Sequence, residues 1–303
     1  MSSGGPLGCG PLGNGPRGEP CCLHGNRRLP ACGTQAPVVT VGAPGLSRAR
    51  RLCCMRPAIA IDHAALQEQE YSFPYHFIPE LRSDGSVVLA KSLAWGLEYL
   101  TYFTFVRDTV LSLRPASLLD VGCGDGRLLK SLEGKVPRLV GLEVSHRAAL
   151  FARALCDGAA IVEGPLDTLE EKFDVVTSVE VLEHLPDDEV VGFLGAIRRR
   201  VKPRGIAIFS VPSTLRPLNP KHFRHYSERT LRETLSQHFA IGQVQWLYRP
   251  CPIEVLLRTI LCNRSFALQN RTLGKLIWRL HRRCCYRAEP GFGTHMVAVC
   301  KLP

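Results

Sequence analysis

Five side chains in two short segments carry groups that could act together on a proton or a cation. The first segment is Ser178-Val179-Glu180-Val181-Leu182-Glu183-His184-Leu185-Pro186, and the second is Asn219-Pro220-Lys221-His222-Phe223-Arg224-His225-Tyr226. Glu180, Glu183 and His184 fall at i, i+3 and i+4, so one helical turn would bring them to one side. The i, i+3 spacing of His222 and His225 would let those two point together. Two carboxylates with two imidazoles (Glu180, Glu183, His184 and His222) make a donor set for Mg²⁺, Mn²⁺ or Fe²⁺ with water completing the shell. A metal there would lower the pKa of a bound hydroxyl and make it a nucleophile. The metal-free alternative uses His184 as a general base, oriented by Glu183, with His225 beside it. A third, plainer alternative leaves His222 and His225 as loop residues with no chemistry.

A second constellation precedes these residues. Leu118-Leu119-Asp120-Val121-Gly122-Cys123-Gly124-Asp125-Gly126 runs from an apolar stretch into three alternating glycines, and Arg127-Leu128-Leu129-Lys130 then starts a helical pattern. Strand, glycine turn and helix in that order build a nucleotide pocket at the carboxyl end of a parallel strand. A dinucleotide fingerprint would need a glycine where this chain has Arg127. The leading acid, Asp120, is instead suited to the positive end of a ligand. Cys123 sits where a small residue suffices. Twenty-three residues after Asp120, Glu143 closes Gly141-Leu142-Glu143, where an acid can accept hydrogen bonds from both hydroxyls of a ribose.

Elements that could position these groups follow from the alternation of apolar runs and amphipathic stretches. Strands are expected at Ser117–Val121, Arg138–Val144, Ala159–Val162, Phe173–Val179, Gly205–Val211, Ala240–Tyr248 and Thr294–Lys301. Helices are expected from Arg127, over His146–Cys156, over Asp187–Val201 and over Glu228–His238. This is the pattern of an α/β, Rossmann-like, doubly wound seven-stranded sheet. Both constellations would then emerge at the carboxyl edge, where open sheets of this kind bind ligands.

Asp-Val-Gly-Cys-Gly-Asp-Gly at 120–126, Gly-Leu-Glu at 141–143, Glu-Val-Leu-Glu-His at 180–184, the Val201-Lys202-Pro203-Arg204-Gly205 turn and Val-Pro-Ser at 211–213 resemble, over about 117–240, the class I S-adenosylmethionine-dependent methyltransferases. The resemblance implies an antiparallel last strand beside the sixth. It implies S-adenosylmethionine held by Asp120, Gly122, Cys123, Gly124, Gly126 and Glu143. It also implies an acid after the third strand; the family's Gly-Asp step is replaced here by Gly164-Pro165-Leu166-Asp167, which makes Asp167 the candidate. Glu180 would close the cofactor floor. The Glu-x-x-Glu-His segment is similar to that of the ubiquinone-biosynthesis O-methyltransferases and, more distantly, the small-RNA 3′-terminal 2′-O-methyltransferases. In both it is linked with a divalent metal, such as Mg²⁺. The expected activity is O-methylation of a small-molecule or lipid-like acceptor. The alternatives are metal-dependent RNA 2′-O-methylation and a non-catalytic, cofactor-binding interaction protein.

The 303 residues carry a net charge of +11, unevenly placed. Residues 1–56 hold seven Arg against one Glu, residues 241–303 hold ten Lys and Arg against two Glu, and the centre is slightly acidic. An anionic partner should therefore meet the C-terminal segment first. Residues 1–56, with eleven Gly and seven Pro, are expected to be a disordered tail. Its Arg content and scarcity of acid suit a mitochondrial address, whereas its Gly and Pro argue against the required amphipathic helix, so a cytoplasmic location is expected. Thirteen cysteines, six of them in that tail and none in a C-x-x-C, fit a reducing compartment.

Residues 57–116 are expected to form N-terminal helices, with Ser86–Leu113 a long or broken helix burying Trp95, Tyr99, Tyr102, Phe103 and Val106. The methyltransferase domain would then occupy 117–303, with a helical insertion at about 249–293. In that insertion Leu273, Leu276, Ile277 and Leu280 share a helical face, flanked by Lys275, Arg279, Arg282 and Arg283. Three readings stand for 253–283: a lid, a peripheral membrane contact, or an RNA-binding face.

Overall fold

In the computed structural model, the described residues are 93–261 and 270–303, with Asp62 and a few positions between 80 and 88. All of them lie in one unit, 59–303. The expected tail at 1–56 lies outside the described residues.

β1 (Glu80–Leu81) and β2 (Val87–Val88) pair antiparallel, where helices were expected. α1 (Leu93–Leu113) follows, and begins seven residues later than the expected Ser86. Then come β3 (Ser117–Val121), α2 (Arg127–Leu132), β4 (Arg138–Glu143), α3 (His146–Leu155), β5 (Ala159–Glu163), β6 (Phe173–Val179), α4 (Asp187–Arg200), β7 (Val201–Pro212), α5 (Glu228–Ser236) and β8 (Ala240–Leu247). α6 (Pro252–Leu261) and α7 (Arg271–Cys284) form the insertion before β9 (His295–Lys301).

The seven-stranded sheet has the order β5-β4-β3-β6-β7-β9-β8. β3 to β7 run parallel, and β9 lies antiparallel between β7 and β8. Successive side chains of each strand point to opposite faces. Leu118, Leu139, Val175 and Ile208 therefore enter one core, and Leu119, Val140, Val176 and Phe209 the other. β3 is buried along its whole length, as a central parallel strand covered on both faces must be.

α1 is covered on more than one side. Leu97, Leu100, Thr101, Thr104, Val106 and Val110 are all fully buried, while Tyr99, Tyr102 and Phe103 are only half-buried. The second covering layer is the insertion: Leu97 and Leu100 cluster with Ile277 and Trp278 of α7 and with Tyr248 and Tyr286. Backbone hydrogen bonds from Tyr248 to Tyr286 (3.0 Å) and from Arg249 to Cys285 (2.8 Å) bring the insertion's two ends together. Of the apolar face expected on α7, Ile277 is buried, whereas Leu276 and Leu280 are exposed.

Candidate functional site

At the end of β3 the backbone turns back through Gly122 (φ 73°) and Gly126 (φ 81°). A Cβ on Gly122 would lie 2.5 Å from Cγ2 of Val181, and one on Gly126 would lie 2.7 Å from the Cys156 sulfur. Both dihedral and space require glycine at these positions. The amides of Gly122 and Cys123 donate to the Leu142 carbonyl at 2.8 and 3.0 Å, which lays the turn over the end of β4. There the Glu143 carboxylate accepts from the amide of Gly124 (2.8 Å) and from those of Val144 and Ser145 (2.9 Å each). Three backbone donors hold it at the mouth of the turn.

Asp120 is buried beside them and accepts from the Thr177 hydroxyl at 2.7 Å. Burial raises its pKa to about 7 against the lowering effect of Thr177, and the charge of Glu143 adds to the rise. Burial likewise pushes the Cys123 thiol up, so that Cys123 packs in the turn as a small apolar residue. Asp167 lies elsewhere: it sits in a short 3-10 turn, exposed, and pairs with Arg199 near the end of α4 at 3.2 Å.

The contact of Gly122 with Val181 joins the glycine turn to the segment after β6. That segment is not the single helical turn expected. Glu180 has a left-handed backbone (φ 56°), and the 3-10 turn begins only at Leu182. The left-handed residue separates the two acids. Glu180 accepts from the Ser210 hydroxyl at 2.6 Å and pairs with His295 Nε2 at 3.1 Å. Burial alone would raise the Glu180 pKa, but His295, Ser210 and Arg216 together hold it below the ordinary value. Glu183 is fully buried, and neither of its carboxyl oxygens has a hydrogen-bond partner among the described residues. Burial and the neighbouring Glu180 charge raise its pKa well above the carboxylate range.

Glu183, His184 and His222 each place one donor atom within 4.8 Å of the others. The hydrogen bonds fix the imidazole tautomers. Nδ1 of His184 lies 3.2 Å from the Lys221 carbonyl, and Nδ1 of His225 lies 3.1 Å from the Arg216 carbonyl. A carbonyl only accepts, so both Nδ1 atoms carry protons. Nε2 of a neutral His225 then accepts from His222 Nδ1 at 2.8 Å, which leaves the lone pair of His222 on Nε2. Burial, then His184 and His225, lower the His222 pKa to about 3. Two imidazoles and a buried carboxyl with no hydrogen-bond partner among the described residues are donor types that a divalent cation takes. Of the expected set, Glu180 is the one engaged elsewhere.

Several residues were not legible as site residues. His295 opens β9 fully buried, its ring 4.6 Å from that of Tyr102. It also meets Glu98 (3.4 Å) and Arg216 (3.3 Å), and Arg216 pairs with Glu98 at 3.3 Å. The only sequence signal was a histidine at the start of an apolar strand.

A family described as a methyltransferase domain matches residues 99–249, the stretch that holds the glycine turn, Glu143 and the two histidine segments. The chain belongs to the class I S-adenosylmethionine-dependent methyltransferases. Among curated proteins it is similar to a ubiquinone biosynthesis O-methyltransferase of Thiobacillus denitrificans, 37% identical over 111 residues, covering 34% of this chain and 47% of that protein. A second such enzyme, of Alkalilimnicola ehrlichii, is 32% identical over 127 residues, covering 39% and 49%. The chain thus spans about half the length of the curated relatives it matches. Among solved structures, an S-adenosylmethionine-dependent methyltransferase from Archaeoglobus fulgidus aligns with TM-score 0.49 and 16% identity, over 69% of this chain and 96% of that one.

The turn fits the family's cofactor. Gly122 and Gly126 leave a cradle that a Cβ would close, and Glu143 presents a carboxylate fixed by backbone donors at its rim. Asp120 lies beside it, able to ionise against a cationic group.

Proposed function

We propose that this chain transfers the methyl group of S-adenosylmethionine to an oxygen atom of its acceptor, with Glu183, His184 and His222 around that oxygen. One observation carries the reading: Glu183 is a fully buried carboxyl without a hydrogen-bond partner among the described residues, grouped with two imidazoles one contact away from the glycine turn. The names of the curated relatives support oxygen as the methylated atom.

Bound S-adenosylmethionine supplies an electrophilic methyl group on a sulfonium centre. Glu143 and Asp120, at the rim of the glycine turn, orient it. His184 Nε2 takes the acceptor's proton, since its Nδ1 proton is held by the Lys221 carbonyl. His225 acts through His222, whose tautomer it fixes. If a divalent cation takes part, Glu183, His184 and His222 would hold it, and it would lower the pKa of the acceptor hydroxyl.

A small-molecule or lipid-like acceptor is favoured by the outer surface of the insertion. Ile253, Val255, Leu256 and Ile260 of α6 and Leu276 and Leu280 of α7 are exposed, alongside the exposed Arg279, Arg282 and Arg283. Such a surface suits peripheral contact with an anionic membrane. None of the helices among the described residues is long and apolar enough to cross one.

The test is a methyl-donor consumption screen over phenols, lipids, sugars and short RNAs, with and without divalent metal. Turnover is expected with an oxygen acceptor of the phenol or lipid class. Methylation confined to RNA 2′-hydroxyls would replace that acceptor class. Absence of saturable S-adenosylhomocysteine binding in calorimetry would remove the cofactor assignment. Binding without turnover on any acceptor would make the chain a cofactor-binding interaction protein. Activity surviving exhaustive chelation would leave His184 as a base without metal.

A further inference from the structure

A second polar cluster is buried in the insertion, away from the residues assigned above. Glu254 of α6, His281 of α7 and Cys285 just beyond it are all buried, with one donor atom of each within 4.8 Å of the others. α6 is turned inside out around this point. Its carboxylate faces inward at 5% exposure while Ile253, Val255, Leu256 and Ile260 face outward at 55–60%. An amphipathic helix that buries its acid and exposes its aliphatic residues needs a compensating partner for that acid.

Hydrogen-bond directions define what kind of partner. The single hydroxyl proton of Thr101 is donated to the Leu97 carbonyl at 2.6 Å. Toward His281 Nε2, 2.7 Å away, Thr101 can only accept, so Nε2 carries the ring proton. The other nitrogen, Nδ1, contacts Oε1 of Glu254. In the neutral ring that contact sets a nitrogen lone pair against a carboxylate, which a proton shared between them, or a metal ion that the two atoms move apart to bind, makes favourable. A proton would satisfy this one contact. It would leave the Glu254 Oε2 atom, which is buried and has no hydrogen-bond partner among the described residues, uncompensated.

The remaining neighbours are the Tyr248 hydroxyl, beside Glu254, and two thiols. Cys285 is raised by burial and then by Cys251 and Glu254 beside it. Cys251 stands one turn before Glu254, whose amide donates to its carbonyl at 3.0 Å. Glu254, His281 and Cys285 already share one point, and Cys251 lies beside Cys285; two sulfurs, one imidazole nitrogen and one carboxylate oxygen are donor types that a borderline-soft dication takes in four-coordinate sites. The Thr101 contact on Nε2 is the outer partner that ligating histidines ordinarily have.

We propose that Cys251, Glu254, His281 and Cys285 bind a structural zinc ion that ties α6 and α7 together and fastens them to α1 through Thr101. Binding releases the thiol protons of both cysteines, so affinity rises with pH. The site is independent of the methyl-transfer reading and would stand if that reading failed.

The test uses the full-length reduced protein, loaded with Co²⁺ in place of zinc and followed by absorption, with elemental analysis of the zinc form. One tightly held equivalent is expected, with a thiolate-to-metal charge-transfer band and the strong visible bands of tetrahedral cobalt. The cluster of Glu183, His184 and His222 contains no sulfur and cannot give the charge-transfer band, so Glu183→Gln should leave it intact. Cys251→Ser with Cys285→Ser should abolish it. Thr101→Val keeps all four ligands and should weaken metal affinity about 10–100-fold. A wild-type protein with no charge-transfer band at saturating Co²⁺ overturns the proposal. A band untouched by the double cysteine substitution, or a Cys251–Cys285 disulfide found by mass spectrometry in freshly isolated protein, does so as well.

Discussion

Replacing Asp120 with Asn tests whether the cofactor turn carries a carboxyl poised between its two protonation states. Burial moves this group from an ordinary value of 3.8 to about 7. An unfolded chain ionises Asp120 above pH 4, whereas the folded protein keeps the proton until about pH 7. The cost of holding the group folded therefore starts near pH 4, grows through the acid range and levels off above neutrality. At about 1.4 kcal/mol per pH unit, the cost rises by about 2.5 kcal/mol between pH 5 and pH 8. Asn keeps an oxygen to accept from Thr177 but never ionises. Its amide donors need partners too, which adds a cost of about 1–2 kcal/mol that does not vary with pH. The readout is therefore the pH dependence of the difference. Relative to the parent, Asp120→Asn should gain about 5–10 °C in Tm on going from pH 5 to pH 8, at about 2–4 °C per kcal/mol. Calorimetry of S-adenosylhomocysteine in buffers of different ionisation enthalpy should show proton release on binding near pH 7, because the ligand's ammonium favours the ionised acid. Asp120→Asn should abolish that release. A Tm difference that is the same at pH 5 and pH 8, with no proton release in the parent, would refute the reasoning.

Three further outcomes follow from the same geometry. Gly122→Ala places a methyl group 2.5 Å from Val181 at a positive φ, and should cost about 2–4 kcal/mol in denaturant unfolding with loss of S-adenosylhomocysteine binding. The His222 ring, with its pKa near 3, should stay neutral from pH 5 to 9 in ring-nitrogen NMR; since an unfolded histidine protonates near 6.5, this group should erode stability as pH falls below that value. Glu180→Gln removes the carboxylate paired with buried His295 and should destabilise by about 3–5 kcal/mol, whereas Glu183→Gln, at a carboxyl with no hydrogen bond among the described residues and only His184 at 4.0 Å, should change stability far less.

The strands that read most directly from the sequence were those buried on both faces. Ser117–Val121 and Phe173–Val179 have the bounds their apolar runs imply. β7 was read short because Pro203 and Gly205 look like a turn. Val201 nevertheless pairs with Phe173, and the register shifts before Val175 pairs with Ile206. Glu143 and the glycine turn were legible because cofactor cradles are local in sequence. The partners of Glu180 were not, since His295 lies 115 residues further on and reaches it only because β9 slots in beside β7. For Asp167, position after a strand does not fix where a side chain points, and here it is exposed and meets Arg199. The insertion's buried Glu254 was hidden by an apolar helix that turns its aliphatic side away from the core.

Glu180 and Glu183 show why spacing alone could not assign the site. They are three residues apart, yet their surroundings push them to opposite charge states. Glu180 is held ionised by His295, Ser210 and Arg216, so its charge is already balanced. Glu183 has no hydrogen-bond partner among the described residues, only His184 Nε2 at 4.0 Å, and burial with the Glu180 charge pushes its pKa up. Environments that separate two neighbouring carboxyls in this way divide their roles. A cation entering between His184 and His222 gains most from Glu183, whose proton it displaces, and little from Glu180, whose displacement would strand His295. If a divalent cation binds there, its affinity should rise with pH, because it must displace a proton from a carboxyl whose pKa burial has raised. His222 contributes no proton to that rise at neutral pH, because its pKa is already lowered to about 3.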